Sequence, residues 1–343
     1  MTDTIHHRLQ RYCARAFPQR EGLRVTHVAA LEAGWESDLY AFNLEYQKDT
    51  GLVRQELILR LHQGGHAGAK AAGEFRTMRR LNEAGYPVPR VHLVEEDAAP
   101  LGKPFLIMER IEGQSMYADF LQAPEPERRR LLTLFCTLFL RLHRLDWRHF
   151  AGRDDALDHD PYIFIDRWLQ HNRETIVRYE LPDFFPLLSW ADSRREALAC
   201  PRPSPVHRDF HPDNVLLRPD GSPAVIDWTG FGISDYRFDL AWTLALADAH
   251  VGPAYRTAVL QEYQRLAGAE VEHLAPFEAF ACVRRLLDAT ISLTRGAEAR
   301  GMRPEAVTVM KQEKEAYARV YEMLHERTGL HIPEVEALLA SLG

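Results

Sequence analysis

The sequence has few cysteines, and their spacing is that of neither a metal site nor a disulfide framework. The four cysteines, Cys13, Cys136, Cys200 and Cys282, lie far apart and form no Cys-x-x-Cys pair. Widely spaced single thiols are typical of reduced proteins. We therefore expect free thiols, and neither a zinc centre nor a disulfide-stabilised secreted fold.

Long apolar runs are also absent. The longest extends from Leu131 to Leu140 and ends at Arg141, which is too short to cross a bilayer. The first eight residues, Met1 to Arg8, contain no apolar core of a secretory signal. We therefore expect a cytoplasmic protein with no membrane partner.

There is no excess of positive charge. Lys and Arg number 42 and Asp and Glu number 49, which gives a net charge of −7. This balance argues against a general nucleic-acid partner. A chain of 343 residues with 46% hydrophobic and 27% charged residues is typical of a globular protein with room for two cores.

The most informative segment extends from His207 to Asn214 and has the pattern His-x-Asp-x-x-x-x-Asn. Kinases need one carboxylate to accept a proton from the attacking hydroxyl, and an amide oxygen and a second carboxylate to hold Mg²⁺. Asp209, Asn214 and Asp227 supply these groups in that order. We predict Asp209 as the catalytic residue and Asn214 and Asp227 as metal ligands. The alternative is an ordinary hairpin with polar ends.

A β-hairpin is predicted between Asn214 and Asp227. Two short apolar runs, 215–217 and 224–226, flank turn-forming residues at 218–222. A turn centred on Asp220-Gly221 gives opposed residues a constant index sum of 441. Asn214 would then lie opposite Asp227, unless a bulge shifts the register by one residue.

With these motifs in place, the chain resembles the aminoglycoside phosphotransferase family, which shares the protein-kinase-like fold with choline kinases. The resemblance covers roughly residues 25–250. Its motifs occur in the family's order at 74–91, 104–113, 207–216, 224–228 and 235–242. It implies an α+β fold of the bilobal protein-kinase-like type, with a small β-rich N-lobe and a larger, mostly helical C-lobe. We expect a nucleotide-binding lobe over 1–108, and a hinge and catalytic lobe over 109–343.

Hydrophobic periodicity agrees with this layout. Strand patterns occur at 39–42, 57–61 and 106–108, and a helical pattern over 71–81 is closed by Gly85. The C-terminal part is predicted to be helical over 239–250, 253–267, 276–296, 304–327 and 333–342.

The resemblance also implies a nucleotide site in the first lobe. The turn 34–38, with the Ser37 hydroxyl, would cover the phosphates, although a full Gly-x-Gly-x-x-Gly is absent. Arg60 takes the place of the usual strand lysine and Glu74 that of its helix partner. Two alternatives stay open, namely a surface pair formed by Arg60 and Glu74, and Lys70 as the phosphate cation. Backbone groups near Glu109 and Ile111 would bind the purine.

Other polar residues suit structural roles. His207 and His211 lie on a loop, so we predict no metal site between them and assign His207 to bracing the loop. Asp239 is predicted to fix the loop or to cap a helix. A further acidic group would either attract a cationic acceptor or form a solvated loop. It comprises Asp154, Asp155, Asp158 and Asp160.

The sequence therefore predicts a kinase that uses ATP (or GTP) and Mg²⁺ to phosphorylate a hydroxyl of an aminoglycoside-like or other small metabolite. A protein kinase is disfavoured because only 235 − 227 = 8 residues separate Asp227 from Asp235, and Asp-Phe-Gly and Ala-Pro-Glu are missing. A non-catalytic nucleotide-binding module is disfavoured because Asp209, Asn214 and Asp227 are all present.

Overall fold

The computed structural model describes residues 2–31, 37–152 and 156–342. The backbone divides into two units. The first contains Met1–Gln114 and Leu216–Thr229, and the second contains Ser115–Val215 and Gly230–Gly343. The chain thus passes from one unit to the other three times. The first passage follows Gln114, and the domain boundary predicted at residue 108 stays a prediction.

An antiparallel sheet of five strands forms most of the first unit, in the order β1-β2-β3-β5-β4. The first chain segment of this unit contains α1 (Thr2–Ala16), β1 (Glu21–Leu31), β2 (Ser37–Lys48), β3 (Gly51–His62), α2 (Ala67–Glu83), β4 (Val91–Glu95), β5 (Phe105–Glu109) and, at its end, β6 (Gln114–Ser115). The predicted strands lie within β2, β3 and β5, and the predicted helix lies within α2. After α2, Gly85 adopts a φ of +72°.

The second half of strand β3, residues 57–62, is buried on both faces. Leu57, Leu59 and Leu61 join the apolar core formed with α1. Because successive side chains of a strand point to opposite faces, Arg60 and His62 lie on the other face, where helix α2 supplies Glu74. The alternation of β3 therefore brings a buried cation to a polar cluster.

The first part of the second unit is mostly helical. It contains α3 (Met116–Gln122), α4 (Glu125–Arg144), α5 (Ala156–His159), α6 (Ile163–Tyr179), α7 (Phe185–Asp192) and β7 (Pro203–Val206). Helix α4 buries an apolar face, which includes Phe135 and Phe139. Both rings contact Phe210, with centroids 5.0 and 4.3 Å away. The 207–214 loop therefore packs against helix α4 through Phe210.

The predicted hairpin is formed by β8 (Val215–Leu217) and β9 (Pro223–Val225). The Arg218 N–H donates to the Ser222 carbonyl at 2.9 Å, and the Gly221 N–H donates to the Arg218 carbonyl at 2.8 Å. With Gly221 at φ +79°, this is a turn followed by a glycine bulge. The index sum is 218 + 222 = 440, so the sum of 441 was wrong by one residue. The register argument that placed Asn214 opposite Asp227 therefore fails.

The rest of the second unit begins with β10 (Gly232–Asp235), which pairs with β7. The helices that follow are α8 (Tyr236–His250), α9 (Pro253–Ala267), α10 (Leu274–Arg295), α11 (Ala306–Gln312), α12 (Lys314–Thr328) and α13 (Pro333–Ser341). The prediction of a single helix over 304–327 was wrong, since the helix is interrupted between α11 and α12. Glu313 leaves the helical conformation there, with φ −92° and ψ 21°, and its carboxylate binds Arg285.

In the described ranges, every helix is too short or too polar to cross a lipid bilayer.

Candidate functional site

Arg60 is the centre of a polar cluster in the first unit. It is 7% exposed. Its Nε donates to Ser37 Oγ at 3.1 Å, and its two terminal nitrogens donate to Glu74 Oε1 at 2.8 Å and to Asp227 Oδ1 at 3.0 Å. Arg60 is thus buried and paired, so the alternative of a surface pair with Glu74 does not hold. Three predicted site residues surround it.

Lys70, the rival cation, has a different environment. It lies on α2 and is exposed, whereas Glu74, one turn further along the same helix, is 3% exposed. The second carboxylate oxygen of Glu74 lies 3.3 Å from His62 Nε2. Glu74 therefore faces Arg60 and His62 from α2, whereas Lys70, in the first turn of the same helix, is exposed.

Asp227 follows β9 in a left-handed conformation, with φ +63°. Thr229 Oγ1 donates to its Oδ1 at 2.9 Å, the oxygen that also binds Arg60. The neighbouring Trp228 is 1% exposed, and its Nε1 donates to the Val225 carbonyl at 2.9 Å. The buried indole fixes the backbone on one side of Asp227, and the carboxylate, 39% exposed, stays accessible.

The predicted purine-binding segment begins at Glu109, the last residue of β5. The Glu109 carboxylate accepts from the Arg90 N–H at 3.0 Å and from the Arg218 guanidinium at 3.1 Å. Its backbone N–H donates to the Arg90 carbonyl at 2.8 Å. The side chain of Glu109 is thus occupied by structural contacts, so only backbone groups of this segment would suit a base.

The turn predicted over 34–38 is only partly described. Ser37 opens β2, is 2% exposed, and pairs across the sheet with His62. Gly34, Trp35 and Glu36 lie outside the described residues.

In the second unit, backbone hydrogen bonds hold the 207–214 loop at several points. Asp239 accepts from the His207 and Arg208 N–H groups, both at 2.7 Å. Thr243 Oγ1 donates to the Phe210 carbonyl at 2.6 Å. Arg208 itself is left-handed, with φ +68°, a conformation that persists where the surroundings impose it. Of the two roles predicted for Asp239, the structure shows the fixing of the loop.

The Asp239 carboxylate also contacts a buried histidine of helix α4. His143 of α4 is 3% exposed, and its Nε2 lies 3.2 Å from Asp239 Oδ2. Its Nδ1 lies 2.9 Å from the Tyr263 hydroxyl. His143 lines a cavity of about 250 Å³ together with Tyr236 and Tyr263.

Asp209 lies at the exposed side of this loop. Trp242 Nε1 donates to its Oδ1 at 2.9 Å, and His211 Nε2 lies 3.6 Å from its Oδ2. Burial alone would raise the pKa of Asp209. The adjacent His211 imidazole, the hydrogen bond from Trp242 and the charge of Arg284 outweigh burial and hold the pKa of Asp209 well below its usual range. Asp209 is therefore ionised at neutral pH, as a proton acceptor must be.

Asn214 ends the loop in a 3₁₀ turn over Pro212–Asn214. Its Nδ2 donates to the Asp209 carbonyl at 2.9 Å and lies 3.0 Å from His211 Nε2. With the nitrogen used in this way, the amide oxygen is the donor atom that suits a cation. Mg²⁺ prefers oxygen ligands, commonly one or two from protein side chains with others from phosphate. The oxygens of Asn214 and Asp227 fit that chemistry.

Of the four acidic residues that were predicted either to attract a cationic acceptor or to form a solvated loop, the structure describes Asp158 and Asp160. Asp158 Oδ1 accepts from Arg148 Nη2 at 2.5 Å, and Asp160 Oδ1 accepts from the Tyr162 N–H at 2.9 Å. Asp154 and Asp155 lie outside the described residues. The two described members are therefore engaged locally.

Sequence reasoning missed three residues beside Asp209. Trp242 and Arg284 lie far along the chain, and the Arg284 guanidinium carbon lies 3.8 Å from the Trp242 ring centroid. His211 was noticed but was given no role. No local pattern reveals the contacts of Trp242 and Arg284, because these two residues lie on separate helices, α8 and α10.

Comparisons with known proteins identify a family and a fold. The model of the "Phosphotransferase enzyme family" matches residues 27–277. A putative aminoglycoside phosphotransferase from Ralstonia eutropha JMP134 has a similar structure, with a TM-score of 0.61, 17% identity, and coverage of 92% of this chain and 98% of that one. The structure of a GDP and kanamycin complex of an aminoglycoside 2″-phosphotransferase has a TM-score of 0.58 and 16% identity, with coverage of 90% of this chain and 98% of that one. At these identities the likeness concerns the fold.

Curated relatives are longer proteins. Acyl-CoA dehydrogenase family member 10 of Mus musculus is 28% identical over 200 residues, which are 56% of this chain and 18% of that protein. A probable acyl-CoA dehydrogenase of Arabidopsis thaliana is 27% identical over 235 residues, 62% of this chain and 27% of that protein. The chain thus spans less than a third of either relative. The family match over 27–277 and the kinase-like fold lead to one conclusion: the chain belongs to the phosphotransferase enzyme family.

Proposed function

We propose that this protein is a kinase that transfers the γ-phosphoryl group of ATP or GTP to a hydroxyl of a small molecule. The observation that carries the proposal is the environment of Asp209. An ionised carboxylate, 43% exposed, is held by Trp242 on a loop whose backbone is fixed by Asp239 and Thr243. This is what a proton acceptor for an incoming hydroxyl requires.

The other predicted residues take complementary roles. Asp209 orients the acceptor hydroxyl and receives its proton. Arg60, paired with Glu74, and the Ser37 hydroxyl act on the nucleotide phosphates. The fork of Arg60 can bind two partners at once, as its contacts with Glu74 and Asp227 illustrate.

Asn214 and Asp227 are proposed as ligands of Mg²⁺, which would neutralise charge on the phosphates. Backbone groups of Glu109 and Ile111 would bind the purine. The proposal for the backbone is supported by the engagement of the Glu109 side chain with Arg90 and Arg218.

The acceptor is proposed only as a hydroxylated small molecule, aminoglycosides among them. One structural relative is a complex with kanamycin, but a shared fold does not fix the substrate. A panel of aminoglycosides, sugars, amino alcohols and hydroxy acids, with ADP or GDP release as the readout, tests the function and narrows the class.

Substitution of Asp209 by Asn tests the mechanism. The amide cannot accept the proton, so turnover should fall by about 10²–10⁴-fold, while nucleotide affinity measured by calorimetry stays within about twofold. Asp213→Asn is a matched control, since Asp213 lies on the same loop but contacts Ser115. An Asp209→Asn protein with wild-type turnover would refute the mechanism.

A further inference from the structure

We propose that Trp242 is a positioning residue, whose indole N–H holds the Asp209 carboxylate in the orientation that receives the acceptor proton. The inference rests on the proposed kinase function and deepens it. Trp242 does not touch the substrate in this account, and its effect reaches the reaction through Asp209.

The first argument is geometric. Trp242 Nε1 donates to Asp209 Oδ1 at 2.9 Å, and the Trp242 side chain is only 6% exposed. On the same helix, Asp239 and Thr243 bind backbone groups of the loop. Helix α8 therefore fixes the path of the loop through two residues and the carboxylate through a third.

The second argument is that the indole is itself held in place. The Arg284 guanidinium carbon lies 3.8 Å from the centroid of the Trp242 ring, a distance at which a cation is attracted to an indole face. The same guanidinium donates to the Arg208 carbonyl at 2.7 Å. Arg284 thus links the indole to the residue that precedes Asp209, so that donor and acceptor keep a fixed relative position.

The third argument is chemical. An indole N–H donates a hydrogen bond and accepts none, so it cannot take the proton that Asp209 is to receive. It binds one carboxylate oxygen and leaves the proton transfer to the other. A buried donor of this kind lowers the freedom of the carboxylate without entering the acid–base chemistry, which is how preorganisation assists a reaction.

Two substitutions separate the N–H group from the bulk of the ring. Trp242→Phe keeps an aromatic ring and removes the donor. Trp242→His removes more volume, but the imidazole Nε2 takes the same place in the five-membered ring as the indole Nε1. If Trp242 acts through its hydrogen bond, the Phe variant should lose about 10- to 100-fold in kcat, as expected for a bond to a charged group. The His variant should recover part of that loss, with the nucleotide KM unchanged in both.

A purely structural role predicts the reverse order, with the smaller His side chain more damaging than Phe. Trp190→Phe is the matched control, because Trp190 packs against Phe280 and Arg194, and it should keep wild-type kcat. A Trp242→Phe protein with wild-type kcat, or a His variant less active than Phe at equal stability, would overturn the proposal.

A measurement without turnover separates this inference from the kinase proposal. In protein labelled with ¹⁵N-tryptophan, the Trp242 indole resonance, assigned with Trp242→Phe, should be the one that moves most in Asp209→Ala. No such movement would overturn the positioning role even in an active enzyme. The expected movement in a protein that phosphorylates no acceptor would support the contact while the proposed function failed.

Discussion

At the scale of single residues, Arg60 differs most from the usual kinase pattern. It is proposed to act in place of the usual lysine, and it contacts Ser37, Glu74 and Asp227 at the same time. A lysine is a point charge, whereas a guanidinium can hold two carboxylates in fixed directions. Arg60 therefore organises its carboxylate neighbours as well as supplying charge.

Replacement of Arg60 by Ala should raise the nucleotide KM or lower turnover by at least tenfold. Arg60→Lys should restore part of the activity, because an ammonium group retains the charge but loses the fork. Glu74→Ala should act in the same direction more mildly, and the double variant should be no worse than Arg60→Ala, since the pair acts as one unit. Steady-state kinetics over a range of nucleotide concentrations measures each effect.

The control for charge is Lys70→Ala, which removes an exposed cation from α2. It should leave the nucleotide KM unchanged and alter stability by no more than about 0.5 kcal/mol. Arg60→Ala leaves the buried Glu74 charge without this partner and should lower the free energy of unfolding by about 3–5 kcal/mol. The kinetics of this variant should therefore be measured well below its unfolding temperature. A silent Arg60→Ala beside an impaired Lys70→Ala would reverse the assignment.

Residue types and spacing were enough to predict Asp209, Asn214 and Asp227 as candidates, because kinase chemistry demands those groups in that order. The Arg60–Glu74 contact was implied by the resemblance to kinases, and the structure contains it. Trp242 and Arg284 could not be predicted, since their contacts depend on how α8 and α10 pack. The sequence contains no signal for that packing.

At the scale of elements, the segment after β5 has no room for a side chain at Gly113. A Cβ there would lie 2.1 Å from the Leu217 carbonyl oxygen and 2.8 Å from its carbon. Both neighbours are backbone atoms, which cannot move aside as a flexible side chain can. The close approach fixes the chain two residues beyond Ile111, in the proposed purine-binding segment.

Gly113→Ala should therefore lower the free energy of unfolding by about 1–3 kcal/mol and raise the nucleotide KM. Gly73→Ala is the matched control. A Cβ at Gly73, inside helix α2, meets nothing within 4 Å, so the change should stabilise by about 0.5–1 kcal/mol. Urea unfolding and nucleotide kinetics measure both effects, and a Gly113→Ala protein as stable as Gly73→Ala would contradict this account.

Sequence patterns predicted the existence of elements better than their registers. Strands β2, β3 and β5 and helix α2 were expected, since their apolar periodicity is strong. The hairpin register was wrong by one residue because Gly221 forms a bulge, and one long helix was expected where Glu313 interrupts the chain. Each error comes from a single residue. Gly221 inserts one residue into the hairpin, and Glu313 leaves the helical conformation where its carboxylate binds Arg285 of another helix.

At the scale of the whole molecule, ligand binding should appear as stability. A ligand that binds only the folded state stabilises it by about 2.7 kcal/mol at 100 times its Kd. We expect Mg²⁺ with ATP to raise the thermal unfolding midpoint more than ATP alone. Asp227→Ala should abolish this difference while keeping the metal-free shift, because the proposed ligand to the cation is gone.

The control is Asp220→Ala, an equal change of charge in the same hairpin, where the carboxylate accepts hydrogen bonds from Ser222. It should keep the magnesium-dependent shift. Thermal unfolding with and without Mg²⁺ at saturating nucleotide decides the matter. Equal losses with and without the metal in Asp227→Ala would exclude Asp227 as a ligand.

The division of the first unit into two chain segments has a consequence for synthesis on the ribosome. Its first segment ends at Gln114, but the unit is complete only after Thr229. The interval is 229 − 114 = 115 residues, or roughly 6–23 s at typical elongation rates. During that interval, Arg60 and Glu74 exist without Asp227, and the face of β3 that carries Arg60 awaits its last partner. The nascent N-terminal sheet must therefore stay folded, or protected, until the hairpin of the later segment arrives.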